Sequence, residues 1–177
     1  MGLIKALLLL SLLLISSCRS VSNLPPIGTV ASVDLTRFAG DWFVIANIPT
    51  FIETQAFNAI ESYSEPVGGK IATTFSFNKG GFNGEKKIYH PTAFIREGSG
   101  NAVWGMQFVW PIKAEYRIVY LDPDYQFTII GRSKRDYVWL MAREPIIDEV
   151  DYDRLLKIIA EEGYDLGKMR RVPQQIL

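Results

Sequence analysis

Alternation in short runs leaves this chain few folds to choose from. Ala102, Trp104, Met106, Phe108 and Trp110 fall on one side of a run whose other side carries Gly105 and Gln107. Tyr116, Ile118 and Tyr120 alternate with Glu115 and Arg117, Tyr137, Trp139 and Met141 repeat the pattern, and Ile71, Thr73, Phe75 and Phe77 form a milder version. A period of two sends successive side chains to opposite faces of a strand, so several strands share one large, aromatic, apolar face. Turn signals separate the runs: Glu65-Pro-Val-Gly-Gly69, Asn78 to Gly84, Glu97 to Asn101, Asp122-Pro-Asp124 and Arg132 to Arg135. About eight such runs lie between Asp41 and Arg143, the spacing of an antiparallel sandwich or barrel. The shared face is then either the solid core of a sandwich or the inner wall of a barrel that grips an apolar ligand.

After Pro145 the period lengthens. Asp148–Gly163 carries Leu155, Leu156, Ile158 and Ile159 among charged residues, which predicts one amphipathic helix. Asp148 reads as its N-cap and Gly163 as its stop. The acidic stretch "DEVDYD" is placed where a helix dipole favours anions and is read as first-turn acids, with no metal site expected.

The amino terminus belongs to a different regime. Lys5 precedes Ala6–Ile15, which is apolar except for Ser11, and Ser16, Ser17 and Cys18 follow. About 10–14 apolar residues match a signal-peptide core better than a membrane span. Cys18 is the only cysteine, so it has no intramolecular disulfide partner. Ile15-Ser-Ser-Cys18 resembles the bacterial lipobox, in which the cysteine is acylated and becomes the first residue of the mature chain. A signal cut elsewhere, or an unused thiol, are the other readings. Arg19 to Val33, with Pro25-Pro26, reads as an extended tether.

Charge and reactive groups narrow the function. Lys plus Arg and Asp plus Glu number 19 each, with no basic stripe, which argues against a nucleic-acid partner. His90 is the only histidine and stands beside Pro91, with no nearby serine or cysteine. Gly80-Gly81 and Gly84 read as a hairpin turn, because no helix follows to complete a phosphate site. The expectation is a protein without enzymatic activity, cofactor or metal.

Three separated motifs then coincide. Gly40-Asp41-Trp42 resembles the G-x-W signature of the lipocalins, and Val33 to Arg37 before it is similar to the short helical turn that closes their barrel. Asp122-Pro-Asp-Tyr125 partly matches the second motif, and Arg143, ending Leu140-Met-Ala-Arg143, supplies the third. The likeness runs from Asp34 to the carboxyl end and is nearest to the bacterial outer-membrane lipocalins, relatives of the apolipoprotein D group. "GDWFVIA", "RDYVWLMAREP", "DEV", "EEGYD" and "VPQQ" follow in the same order. Phe43 stands where that family has tyrosine, and Trp104, Trp110 and Trp139 make this chain heavier in aromatics.

The resemblance implies an all-β fold, an eight-stranded antiparallel up-and-down barrel with one carboxyl-terminal helix outside. Its parts would be a signal peptide over 1–17, a tether over 18–33 and a lipocalin domain over 34–177. Gly40, Trp42 and Arg143 would be structural, the arginine lying across the indole at a plugged end. The cavity candidates are Ile71, Phe75, Trp104, Met106, Phe108, Tyr116, Ile118, Tyr120, Tyr137 and Trp139, with Tyr116 and Tyr120 offering hydroxyls to a headgroup. The implied ligand is a fatty acid or lysophospholipid, held for lipid storage or transport in envelope maintenance. Cys18 would anchor the protein to the outer membrane, facing the periplasm, as a monomer or a homodimer. The alternative is a solid-cored envelope lipoprotein acting through protein contacts.

Overall fold

The computed structural model describes residues 25–175. Among them one antiparallel sheet is built from β1 (Gly40–Ile48), β2 (Ala56–Tyr63), β3 (Lys70–Lys79), β4 (Glu85–Tyr89), β5 (Thr92–Ile95), β6 (Val103–Val109), β7 (Ile112–Leu121), β8 (Phe127–Gly131), β9 (Val138–Ala142) and the two-residue β10 (Arg170–Arg171). Neighbours in sequence pair in order, and β9 returns to β1, with Phe43 opposite Ala142 and Ile48 opposite Val138. That last ladder closes the sheet into a barrel. β4 and β5 share one barrel position, since both pair with β3. Pro91 falls at their break, where its missing N–H interrupts no ladder. The barrel thus has eight strand positions, with β10 added along β1 at Ala46 and Asn47.

Alternation sorts the side chains into two cores. The inner one holds Phe38, Trp42, Val44, Phe75, Trp104 and Tyr116 among others. The outer one lies between β1, β8 and β9 and the helix α2 (Glu149–Glu161), which buries Tyr152, Leu155 and Ile159 against Ile45, Ile129 and Leu140. Asp148 caps α2, its carboxylate accepting from the Asp151 N–H at 2.7 Å. Gly163, at φ +88°, follows the last turn and takes the left-handed backbone that ends many helices.

Register shifts in β1, β2, β6 and β7 break the strict period, and those in β1 and β7 redirect side chains between the two cores. In β1 the register slips between Val44 and Ala46, so Ile45 and Ala46 both face α2. In β7 it slips between Ile118 and Tyr120. Ile118 points inward, but Tyr120 joins the outer core and its hydroxyl accepts from Arg154 Nη1 at 2.9 Å. Tyr120 is therefore no cavity residue. One extra residue in a strand flips every side chain beyond it, and a count by twos cannot see the extra residue.

The turn before β8 also differs from expectation. Tyr125 takes φ +60° instead of opening the strand. The Asp122 carboxylate accepts from the N–H groups of Gln126 and Phe127, at 2.7 and 2.6 Å, and holds the turn closed up to Phe127. At the amino-terminal side, residues 25–33 are docked and not free tether. Ile27 and Val33 are buried, and the N–H groups of Val30 and Val33 donate to the carbonyls of Ile118 and Gly100. Cys18, the signal segment and the rest of the tether lie outside the described residues.

Leu155 is fully buried between helix and barrel. Leu155→Ala should cost about 3 kcal/mol of stability, as a deleted core side chain leaves a cavity; urea unfolding followed by tryptophan fluorescence measures it.

Candidate functional site

A barrel has two ends, and this one is plugged at the end where β1 begins. The short helix α1 (Leu35–Phe38) crosses that end, capped by the Asp34 carboxylate on the N–H groups of Thr36 and Arg37. Trp42 is fully buried behind it, and its indole N–H donates to the Phe38 carbonyl at 2.9 Å. Arg143 lies over the indole, 3.9 Å from the ring centroid. Its Nη2 donates to the carbonyls of Arg37, Phe38 and Ala39 at 2.7, 3.1 and 3.0 Å, and its Nη1 to that of Asp41 at 2.7 Å. One cation thereby satisfies the carbonyls that a helix end leaves orphaned and adds a cation–π contact worth about 0.5–2 kcal/mol. Gly40 sits beside it at φ +96°, where an added Cβ would meet Arg143 Nη1 at 3.4 Å. The left-handed backbone is cheap only for glycine.

Above this floor the aromatics form a second layer. Phe38 contacts Trp42, Tyr63 and Trp104 with ring centroids 5.0–5.5 Å apart, and Trp104 stacks on Tyr116 at 5.1 Å. The hydroxyls of Tyr63 and Tyr116 are hydrogen-bonded to each other. Burial pushes both phenols well above their usual range, so the pair stays protonated.

Beyond that layer the barrel opens into a cavity of about 490 Å³, within the usual range for a small-molecule pocket. Of the ten candidates, Phe75, Met106, Phe108, Tyr116, Tyr137 and Trp139 line it. Ile71, Trp104 and Ile118 do not: they are packed in the core toward the plugged end. They share the inner face with the lining residues, and only depth along the barrel separates the two groups.

Several lining residues carry no apolar alternation and were missed. Phe51, Ile52 and Glu53 come from the β1–β2 loop, His90 and Pro91 from the β4–β5 break, and Arg132 from the β8–β9 turn. His90 is exposed at the wall, its Nδ1 3.2 Å from the Thr74 hydroxyl. Glu61 was missed for another reason. It follows Ala59 and precedes Tyr63 at steps of two, both inward, but the sequence shows an acid where a wall residue should be apolar.

Three carboxyls line the apolar chamber, Glu53 and Glu61 within it and Glu115 nearer the mouth. Glu53 is buried and well served, accepting from Asn47 Nδ2 at 2.7 Å, Trp139 Nε1 at 2.8 Å and the Thr50 hydroxyl. Burial raises its pKa and those bonds partly offset the rise. Glu61 stands between Trp42 on β1 and Phe75 on β3, and its buried Oε2 has no protein partner. Burial first, and the nearby Glu53 charge second, push it well above the usual carboxylate range. At the mouth, Arg132 pairs with Asp136 at 3.3 Å, while the Glu115 carboxylate accepts from Ser133 and Arg117.

An antiparallel barrel plugged at one end by a tryptophan–arginine pair and open at the other on an apolar chamber is a small class of its own. Residues 33–174 match the family model described as Lipocalin-like domain. The chain belongs to the lipocalin family. It is similar to temperature-induced lipocalin-1 of Arabidopsis thaliana, 27% identical over 153 residues that cover 82% of this chain and 81% of that protein. It is also similar to outer membrane lipoprotein Blc of Citrobacter freundii, 26% identical over 164 residues covering 91% and 90%. Insecticyanin from the tobacco hornworm Manduca sexta has the same fold, with a TM-score of 0.66 at 18% identity over 84% of this chain and 85% of that one.

Two outcomes follow for variants. Trp42→Ala should lower stability by about 3–5 kcal/mol, since a large buried aromatic leaves a cavity, while changing the order of ligand affinities little; a melting temperature equal to wild type would remove Trp42 from its structural role. Glu61 holds in the folded state a proton that the unfolded chain releases near pH ~4.3. Its contribution to stability is therefore complete below that pH and is lost as pH rises toward the folded value. Glu61→Gln should match wild type near pH 4 and become the more stable protein by about 1 kcal/mol at pH 7.5, because the amide has no charge to bury; urea unfolding at the two pH values measures it.

Proposed function

We propose that this lipocalin holds a fatty acid or lysophospholipid in its barrel, as an outer-membrane lipoprotein anchored through Cys18 and facing the periplasm, where it stores or carries lipid in envelope maintenance. The observation that carries the reading is the chamber of about 490 Å³ with its predominantly apolar wall and one open end. An acyl chain buries its methylenes against Phe75, Met106, Phe108, Tyr116, Tyr137 and Trp139 at about 0.8 kcal/mol per CH₂. A polar head then remains at the mouth, where Arg132 stands. Open volume inside the barrel favours this reading over a solid-cored protein acting through contacts alone. The location is supported by the lipobox-like Ile15-Ser-Ser-Cys18 and by relatives that bear the name outer membrane lipoprotein Blc.

Titrating the chain from Arg19 onward with palmitate and with a lysophospholipid, followed by tryptophan fluorescence, tests the reading. One-to-one saturation is expected, with Trp139 on the wall as reporter. Shortening the chain by two methylenes should weaken binding about tenfold. Ala114 also lines the chamber, and Ala114→Trp, which places a large ring there, should weaken binding at least tenfold with little change in melting temperature. Absence of saturation by either ligand overturns the proposal.

A further inference from the structure

Among the described residues, exposed large apolar side chains gather at the rim of the chamber. Phe51 in the β1–β2 loop is 88% exposed, and Val109, Trp110 and Ile112 at the β6–β7 hairpin are 68, 82 and 69% exposed. Phe82, in the β3–β4 loop, is exposed at the same end. Single exposed apolar residues are ordinary, whereas a contiguous crown is a mark of an interaction surface. Phe51, Val109 and Ile112 also line the chamber's mouth, so the crown and the entrance are one feature.

Charge identifies what the crown meets. Lys79, Lys86 and Lys134 are exposed on the strands and turns around it, while Lys113 beside them turns its ammonium onto the Phe94 ring at 3.5 Å. The acids on those same elements are engaged: Glu85 with Lys87, Asp136 with Arg132, and Glu115 with Arg117 and Ser133. The opposite, plugged end has an excess of acids, with Asp34, Asp41, Glu65, Glu97, Asp122 and Asp124 beside the cations Arg37, Lys70 and Arg96. Apolar and tryptophan side chains ringed by lysines suit an anionic lipid surface, where the rings enter the headgroup layer and the ammonium groups meet phosphates.

The path of the chain points the same way. Arg135 of the β8–β9 turn, at the rim, donates through Nη2 to the Pro25 carbonyl at 2.6 Å. From there the chain descends toward the plugged end, where Val33 meets Gly100. Cys18 is seven residues before Pro25, a distance that full extension limits to ~25 Å. An acyl group on Cys18 therefore leashes the rim, not the plug.

We propose that the open rim of the barrel docks onto an anionic bilayer through Phe51, Val109, Trp110 and Ile112, so that the chamber opens directly onto the lipid surface. The leash depends on Cys18 being the anchor, as proposed above; the crown and its lysines do not. The test takes the full-length chain as the cell processes it, reconstituted into vesicles of phosphatidylcholine and phosphatidylglycerol with brominated or plain acyl chains, alongside Trp110→Phe. Trp42 and Trp104 are buried deep in the barrel and Trp139 lines the chamber, so the docking signal is the part of the quenching that depends on Trp110. Brominated lipid should quench a fraction of the emission that Trp110→Phe abolishes, and omitting phosphatidylglycerol should reduce that fraction at least twofold. Quenching unchanged by Trp110→Phe overturns the docking. So does a Trp110 shielded from acrylamide yet untouched by bromine, which would place a second copy or another protein on the crown. The mass of the amino-terminal peptide reads Cys18 separately: Trp110-dependent quenching in a chain without acyl mass sustains the docking and overturns the anchor.

Discussion

A sheet that closes on itself removes its edges but creates two holes, and the rest of this molecule depends on how one of them is sealed. Arg143 supplies the seal by joining what closure alone does not join. Its guanidinium covers Trp42 from β1 and gathers the carbonyls that α1 leaves unpaired. The first strand, the crossing helix and the end of the last strand are thereby fastened at one point. Without the seal, water would enter from both sides and the apolar wall would line a wet tube.

The sealed floor explains how an acid can stand inside the wall. Glu61 is one residue pair from Trp42 and Phe75, with an oxygen that no protein group serves. Such a carboxyl is tolerable when it keeps its proton, because a neutral acid costs far less to bury than a carboxylate. Glu53, higher in the chamber, is held by three side-chain donors from β1, its own loop and β9. The two acids mark the difference between a polar group built into the frame and one left facing the space.

Much of the architecture was legible because it rests on local periodicity. Inward residues of β3 and β9, and of β6 as far as Met106, follow steps of two without interruption, and their faces could be read from Phe75, Met106 and Trp139. Tyr120 could not be placed, because a bulge is decided by how neighbouring strands register and not by the residues that form it. Ile71, Trp104 and Ile118 were legible as inward but not as too deep: the level at which packed aromatics give way to open space depends on rings from α1, β2, β6 and β7 meeting at once. Loop contributors such as Phe51 and Arg132 carry no period at all, so nothing local announced them.

By itself, the sequence determined the all-β class, the external helix with its Asp148 cap, the glycine at the left-handed turn and the tryptophan and arginine of the plug. Each of these is a local demand of backbone conformation, side-chain period or motif. Only the tertiary structure decided where the barrel's solid floor ends and its chamber begins, that residues 25–33 are bound to the barrel and begin at its mouth, and that Phe51, Val109, Trp110 and Ile112 stand together around the opening. Those are matters of distance between residues far apart in the chain, and distance is set by closure of the barrel, which no single segment contains.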